Sequence, residues 1–153
     1  MTSDWFQKAK HTPTLLTTYH IGLVQAKAYR ILNVHTAALL KPLGIRPLDW
    51  ALLGLLNDNP EGMSPSELAR ELGVKAPHVS AQLIRLKKKK LVYAGIRDGD
   101  KRQKCIGLTE TGEKFVPETE KLLRTGMRKL VQGVPIKDVL AYVRVLSKIS
   151  END

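Results

Sequence analysis

The sequence predicts a mainly α-helical chain carrying one small β-hairpin, and three observations lead there. Apolar residues recur at three- and four-residue intervals through most of the chain, the period of a helix with one buried face. Proline and glycine fall between these stretches, where helices start and stop. Two short strand-like runs flank an Asp-Gly dipeptide, the signal of a tight hairpin.

A length of 153 residues fits one compact domain, 1–153, large enough to bury a core without disulfides or metals. With 42% apolar and 26% charged residues, the chain has enough apolar surface to offset its conformational entropy. The longest apolar run, residues 50–56, is far below the ~20 residues of a membrane span. Residues 1–10 lack the apolar core of a secretory signal, so a cytoplasmic protein with no membrane partner is expected. The single cysteine, Cys105, excludes an internal disulfide and a multi-thiolate zinc site.

Thr12-Pro13 reads as a helix cap and first-turn proline, opening a long helix to about Leu40 in which Tyr19, Leu23, Ala26 and Tyr29 share a face. Pro42 and Gly44 stop it, and Pro47 opens a second helix with Leu48, Leu52, Leu55 and Leu56 as its stripe. Ser64-Pro65-Ser66-Glu67 is a capping box with proline at the first helical position, and Gly73 ends the short helix that follows. A further helix begins near Lys75 and runs to about Lys90, burying Val79, Leu83 and Leu86; two helices joined by a glycine turn make a helix-turn-helix. Residues 91–96 and 103–108 form the hairpin, Thr109 caps a helix from Glu110 to about Val131, and Pro135 starts the last helix. Pro117, lacking a backbone donor, predicts a kink or a broken first segment in its helix.

The net charge of +10 is concentrated. Residues 75–104 carry ten basic side chains against Asp98 and Asp100, while residues 47–74 are net negative. A polyanion is the expected partner of such a segment.

The order of elements and three stretches resemble the MarR family of winged helix-turn-helix transcription regulators. "IRPLDWALLGLL" resembles the family's second helix, "MSPSELARELGVKAPHVSAQLIRLKKKKLV" its helix-turn-helix, and "RDGDKRQKCIGLTETGEKFV" its wing and the helix restart beyond it. The resemblance implies a DNA-binding lobe at 45–109, flanked by dimerisation helices at 12–42 and 110–150. It implies a homodimer that binds double-stranded DNA at a palindromic operator as a repressor. Three positions depart from the family's habit: Lys75 in place of a Ser or Thr cap, Ala81 in place of an arginine, and Arg46 in place of a threonine.

A major groove admits one helix, whose N-terminal half meets the base edges. The residues there are Lys75, Ala76, Pro77, His78, Ala81 and Gln82. Gln82 is suited to adenine, His78 to guanine or a phosphate, and Ala76 and Ala81 to thymine methyls. Arg85 is expected at a phosphate, as are Ser64 and Ser66 at the start of the preceding helix. By resemblance Arg102 sits at the wing tip and enters the minor groove, braced by Asp100, while Arg97, Lys101 and Lys104 neutralise phosphates around the hairpin. The resemblance also implies a regulatory input, and Tyr19, His20, Tyr29 and Trp50 are the expected contacts of a small aromatic ligand. No cofactor is expected. The four histidines show no metal-ligand spacing, and there is neither a glycine-rich phosphate loop nor a serine elbow, so catalysis is not expected. The alternative is a winged-helix module for RNA or protein contacts without promoter specificity.

Overall fold

The computed structural model describes residues 17–96 and 104–151. They form α1 (Thr18–Leu40), a 3-10 turn (Lys41–Leu43), α2 (Pro47–Asp58), α3 (Pro65–Leu72), α4 (Ala76–Lys88), β1 (Val92–Ile96), β2 (Lys104–Leu108), α5 (Glu110–Arg128) and α6 (Ile136–Ser150). The expected helical fold with a winged hairpin is the one observed. The Thr12-Pro13 start of α1 and the Asp98-Gly99 turn lie outside the described residues.

The core is centred on α2. Leu52, Leu53 and Leu56 are sealed against Leu68 of α3, Val79 and Leu86 of α4, Ile106 of β2 and Val116 of α5. Leu53 joins the stripe that the sequence suggested, whereas Leu48 stays 36% exposed. β1 and β2 pair antiparallel in a register that sets Val92 opposite Leu108 and Ile96 opposite Lys104. Met63 adds a third line of pairing: its N–H donates to the Ile106 carbonyl at 3.0 Å, and its own carbonyl accepts from Ile106 at 2.8 Å. The hairpin is thereby fixed to the residue just ahead of the α3 cap.

That cap is the expected one. The Ser64 hydroxyl accepts from the Glu67 N–H at 3.2 Å, and the Glu67 carboxylate accepts from the Ser64 N–H at 2.7 Å. Gly73, at φ +63°, closes α3 with the Val74 N–H reaching back to the Ala69 carbonyl. The end of α4 uses the same six-residue return, from the Leu91 N–H to the Leu86 carbonyl, but the left-handed position is Lys90 at φ +58°. No glycine marks this stop, and the helix ends at Lys88, two residues before the sequence reading placed it. The Lys90 carbonyl also accepts from the Thr109 hydroxyl, which ties the turn to the α5 cap.

Pro117 does not break its helix: α5 runs uninterrupted from Glu110 to Arg128. Both Pro117 and Glu113, whose carbonyl loses its donor, are exposed, so water can take the vacant place. The first turn of α5 lies so close to the connector after α4 that a Cβ on Gly112 would collide with the Leu91 carbonyl.

One buried charge ties α2 to α4. Asp49 is 2% exposed, and both its oxygens are used. Oδ2 accepts from the Arg46 N–H at 3.0 Å, capping α2, and Oδ1 accepts from the Arg85 guanidinium at 2.8 Å.

Three substitutions test this packing, each read as a urea midpoint at one protein concentration. Gly112→Ala is expected to cost about 2 kcal/mol or more, because backbone must shift. Gly54→Ala, with open space around its Cβ in the middle of α2, is expected to gain about 0.5–1 kcal/mol. Asp49→Ala removes a helix cap and an ion-pair partner together. Because Arg85 is 38% exposed and can rehydrate, the expected loss is about 2–3 kcal/mol, below that of a fully buried pair.

Candidate nucleic-acid interface

α4 has two faces. Val79, Leu83 and Leu86 turn inward, and Ala76, Pro77, His78, Ser80, Ala81, Ile84, Lys87 and Lys88 turn outward. The N-cap, Lys75, is exposed and uncapped by any side chain, so the first N–H groups of α4 keep their partial positive charge toward solvent. Basic Arg85, Lys87 and Lys88 occupy the last turn, where they complement the other end of the helix dipole. The Lys89 ammonium donates to the Leu43 carbonyl at 3.3 Å and so leans on the α1–α2 connection.

Two of the residues expected at DNA are placed otherwise. Gln82 is 2% exposed and points into the protein, where neither its amide nitrogen nor its carbonyl oxygen has a hydrogen-bond partner. At about 100° per residue it lies about 40° beyond Leu86 on the flank of the buried stripe, so the helical period already set it toward the inward side. It presents nothing to a groove here. Arg85 is drawn to Asp49 across the α2–α4 contact rather than standing free for a phosphate. The signal was present in sequence only as a carboxylate and a guanidinium 36 residues apart, which no local period connects.

Ser64 is 5% exposed and spends its hydroxyl on the α3 cap, at 3.0 Å from the Ser66 hydroxyl. Ser66 is the exposed member of the two. Lys104 is exposed at the start of β2, beside Cys105, which is buried at 7%. Arg97, Asp100, Lys101 and Arg102 lie outside the described residues. Two exposed residues of α4 that the sequence reading left out, Ser80 and Ile84, share the outward face with Ala81. The buried stripe implied them, since Ile84 falls about 140° from Val79 on the helix.

The residues expected at a ligand do not converge within the protomer. Tyr19 and Tyr29 are 63% and 66% exposed on α1, His20 bonds to Thr17 and stacks beside Tyr19, and Trp50 packs at the margin of the core. An apolar concavity lies elsewhere among the described residues. A groove of about 650 Å³ runs between α1 and α6, walled by Val24, Ala28 and Ile31 on one side and Tyr142, Val145 and Ile149 on the other. Among the described residues, no cluster of His, Cys, Asp or Glu could hold a metal, and no helix is long and apolar enough to cross a membrane.

Comparison with known proteins agrees with this geometry. The MarR family model matches residues 43–103, from the end of the 3-10 turn to the residue before β2. A MarR-family transcriptional regulator from Rhodococcus sp. RHA1 superposes with a TM-score of 0.80 at 19% identity, covering 90% of this chain and 97% of that one. CouR from Rhodococcus jostii RHA1, bound to p-coumaroyl-CoA, superposes at 0.79 with 21% identity over 84% and 90% of the two chains. The transcriptional repressor CouR bound to a 23-mer DNA duplex gives 0.75 at 24% identity, over 84% and 91%. Residues 43–103 are therefore similar to the MarR family, and the chain as a whole has the winged helix-turn-helix fold of the MarR-family regulators it superposes on.

Proposed function

We propose that the protein is a transcription regulator that binds duplex DNA as a homodimer on a palindromic operator and acts as a repressor. The observation that carries this reading is the outward face of α4: an exposed ridge with an uncapped, positive N-terminus, in the segment that holds most of the chain's excess charge. A repressor of the same fold bound to a DNA duplex supports it. In this reading Lys75, His78, Ser66 and Lys104 meet phosphates or base edges near the ends of the ridge. Arg102, braced by Asp100, enters the minor groove from the wing, with Arg97 and Lys101 on the flanking phosphates.

The dimer is supported by the apolar surface that the protomer leaves uncovered. α6 contains no buried residue, and α1 buries only Leu40. Tyr19, Leu23 and Val34 on α1 and Ile136, Val143 and Val145 on α6 are each half or more exposed. A monomer rarely shows such a continuous apolar surface to water, and a second copy related by a two-fold axis would cover it. Two α4 helices so related would fall on half-sites about one helical turn, ~34 Å, apart. A small aromatic ligand acting through Tyr19, His20, Tyr29 and Trp50 belongs to the same proposal, supported by the relative solved with p-coumaroyl-CoA.

Gel shifts with a selected duplex, a random duplex and an RNA of equal length test the reading directly. The expected result is a selected duplex bound at least ~10³-fold more tightly than the random one, with log affinity falling by about 0.9 per neutralised phosphate against log salt. Equal affinity for all three favours the RNA or protein module instead. Arg102→Ala is expected to weaken specific binding by about 1–3 kcal/mol. Val145→Glu, on a side chain 58% exposed in the protomer, is expected to leave the fold intact, convert the dimer to a monomer in sedimentation velocity, and reduce operator binding.

A further inference from the structure

We propose that α4 reads its operator through the 5-methyl groups of thymine, and that Ile84 is the specificity-determining residue. The inference rests on the DNA-binding reading above and deepens it.

An exposed isoleucine alone signifies little, since single apolar side chains are common on protein surfaces. What gives Ile84, at 70% exposure, its meaning is what surrounds it. Bases are read in the major groove mainly by forked side chains: arginine or lysine on guanine, asparagine or glutamine on adenine. α4 has one glutamine and one arginine, and neither is available. The amide of Gln82 is buried in the protein, and the guanidinium of Arg85 is held at 2.8 Å by Asp49. The lysines stand at the two ends of the helix, Lys75 ahead of its first turn and Lys87 and Lys88 in its last. Between them the outward face offers Ala76, Pro77, His78, Ser80, Ala81 and Ile84. Its central ridge, Pro77, Ala81 and Ile84, carries no side-chain donor or acceptor at all.

An apolar ridge finds one apolar partner on the edges of B-DNA in the major groove, the methyl group of thymine. The dimensions fit. At 1.5 Å of rise per residue, Ile84 lies about 4.5 Å along the axis from Ala81, on the order of one base-pair step. It lies about 12 Å from Ala76, comparable to the width of the major groove. Alanine reaches a methyl only where the backbone comes close, whereas isoleucine adds a branched side chain that can enclose one. The remaining affinity would come from phosphates and wing, so sequence preference along α4 is set by where methyl groups project.

The test uses the full-length chain and duplexes selected from a random double-stranded pool. Each thymine of the selected half-site is replaced in turn by uracil, which removes the 5-methyl group and keeps pairing and the O4 acceptor. Burying one methyl corresponds to about four-fold in affinity, so the expected result is a loss of about that size at one or more positions. Ile84→Ala is expected to bind the thymine and uracil duplexes alike at one of those positions while keeping the wild-type melting temperature. Ile84→Val is expected to retain part of the discrimination. A selected half-site without thymine under α4, uracil tolerated at every position, or undiminished discrimination by Ile84→Ala would each overturn the inference while leaving the DNA-binding reading in place. If no sequence emerges from the selection, both fall together.

Discussion

A single buried carboxylate bonds α2 to α4 beside the stripe that seats α4 on the core. Asp49 has almost no contact with water, and an ionised group in that position needs every oxygen occupied. One oxygen closes the first turn of α2 on the Arg46 N–H, and the other holds the Arg85 guanidinium. The two bonds constrain different things. The first fixes where α2 begins, and the second, with the buried Val79, Leu83 and Leu86, holds α4 in its rotation relative to α2. Rotation is what decides which residues of α4 face a groove, because neighbouring positions lie about 100° apart. With Arg85 turned toward α2, Ile84 is carried outward. Leu86 and Leu83, on the other flank, close the core under it.

The same constraint separates two kinds of contact along the lobe. Charge is kept to the ends of α4 and to the hairpin, while the middle of the outward face is small and apolar. Cations contribute affinity that depends on salt and is indifferent to sequence. An apolar ridge contributes little affinity and cannot bind a phosphate, yet it distinguishes a base edge that carries a methyl from one that does not. Gln82 shows how strictly the faces are divided. With Arg85 it is one of two forked side chains in the helix, and its inward position leaves both amide atoms without partners, a cost of about 1–3 kcal/mol.

How much of this was legible in the sequence depended on the range of the signal. The α3 cap, the Pro47 start, the Gly73 stop and the Val79, Leu83 and Leu86 stripe were local patterns, and each is present as read. The end of α4 was misjudged by two residues because its left-handed position is a lysine, and only the return bond to Leu86 reveals it. Pro117 suggested a break that an exposed helix flank does not need. The Asp49–Arg85 pair was invisible, since it is created by packing two helices whose sequences do not refer to each other. Gln82 differs in kind: its amide chemistry suits adenine, but its position on the flank of the buried stripe, about 40° from Leu86, turns it inward.

The two terminal helices complete the argument, because their sequence pattern and their burial disagree within one protomer. Tyr19, Leu23 and Tyr29 recur as a core-facing stripe should, yet all are well exposed, and α6 repeats the mismatch from Ile136 to Ile149. A stripe that is apolar, periodic and unburied costs solubility, and it is retained where something else covers it. α5 packs against the C-terminal end of α1, with Leu39 against the Cα face of Gly126, so the uncovered part runs along α1 as far as Val34 and over α6. The winged lobe meanwhile shares one sealed core with α5 and the C-terminal end of α1, where Val116, Leu123 and Leu40 join Leu52, Leu53 and Leu68. Burial of the outer face of α1 and of α6 is what that core leaves undone. In the proposed dimer the lobe would hold α4 in its rotation whether or not a partner is present, and pairing of the terminal helices would set only the distance and angle between the two reading surfaces. A signal acting on the terminal helices could then change operator affinity without disturbing Asp49 or the face that α4 presents.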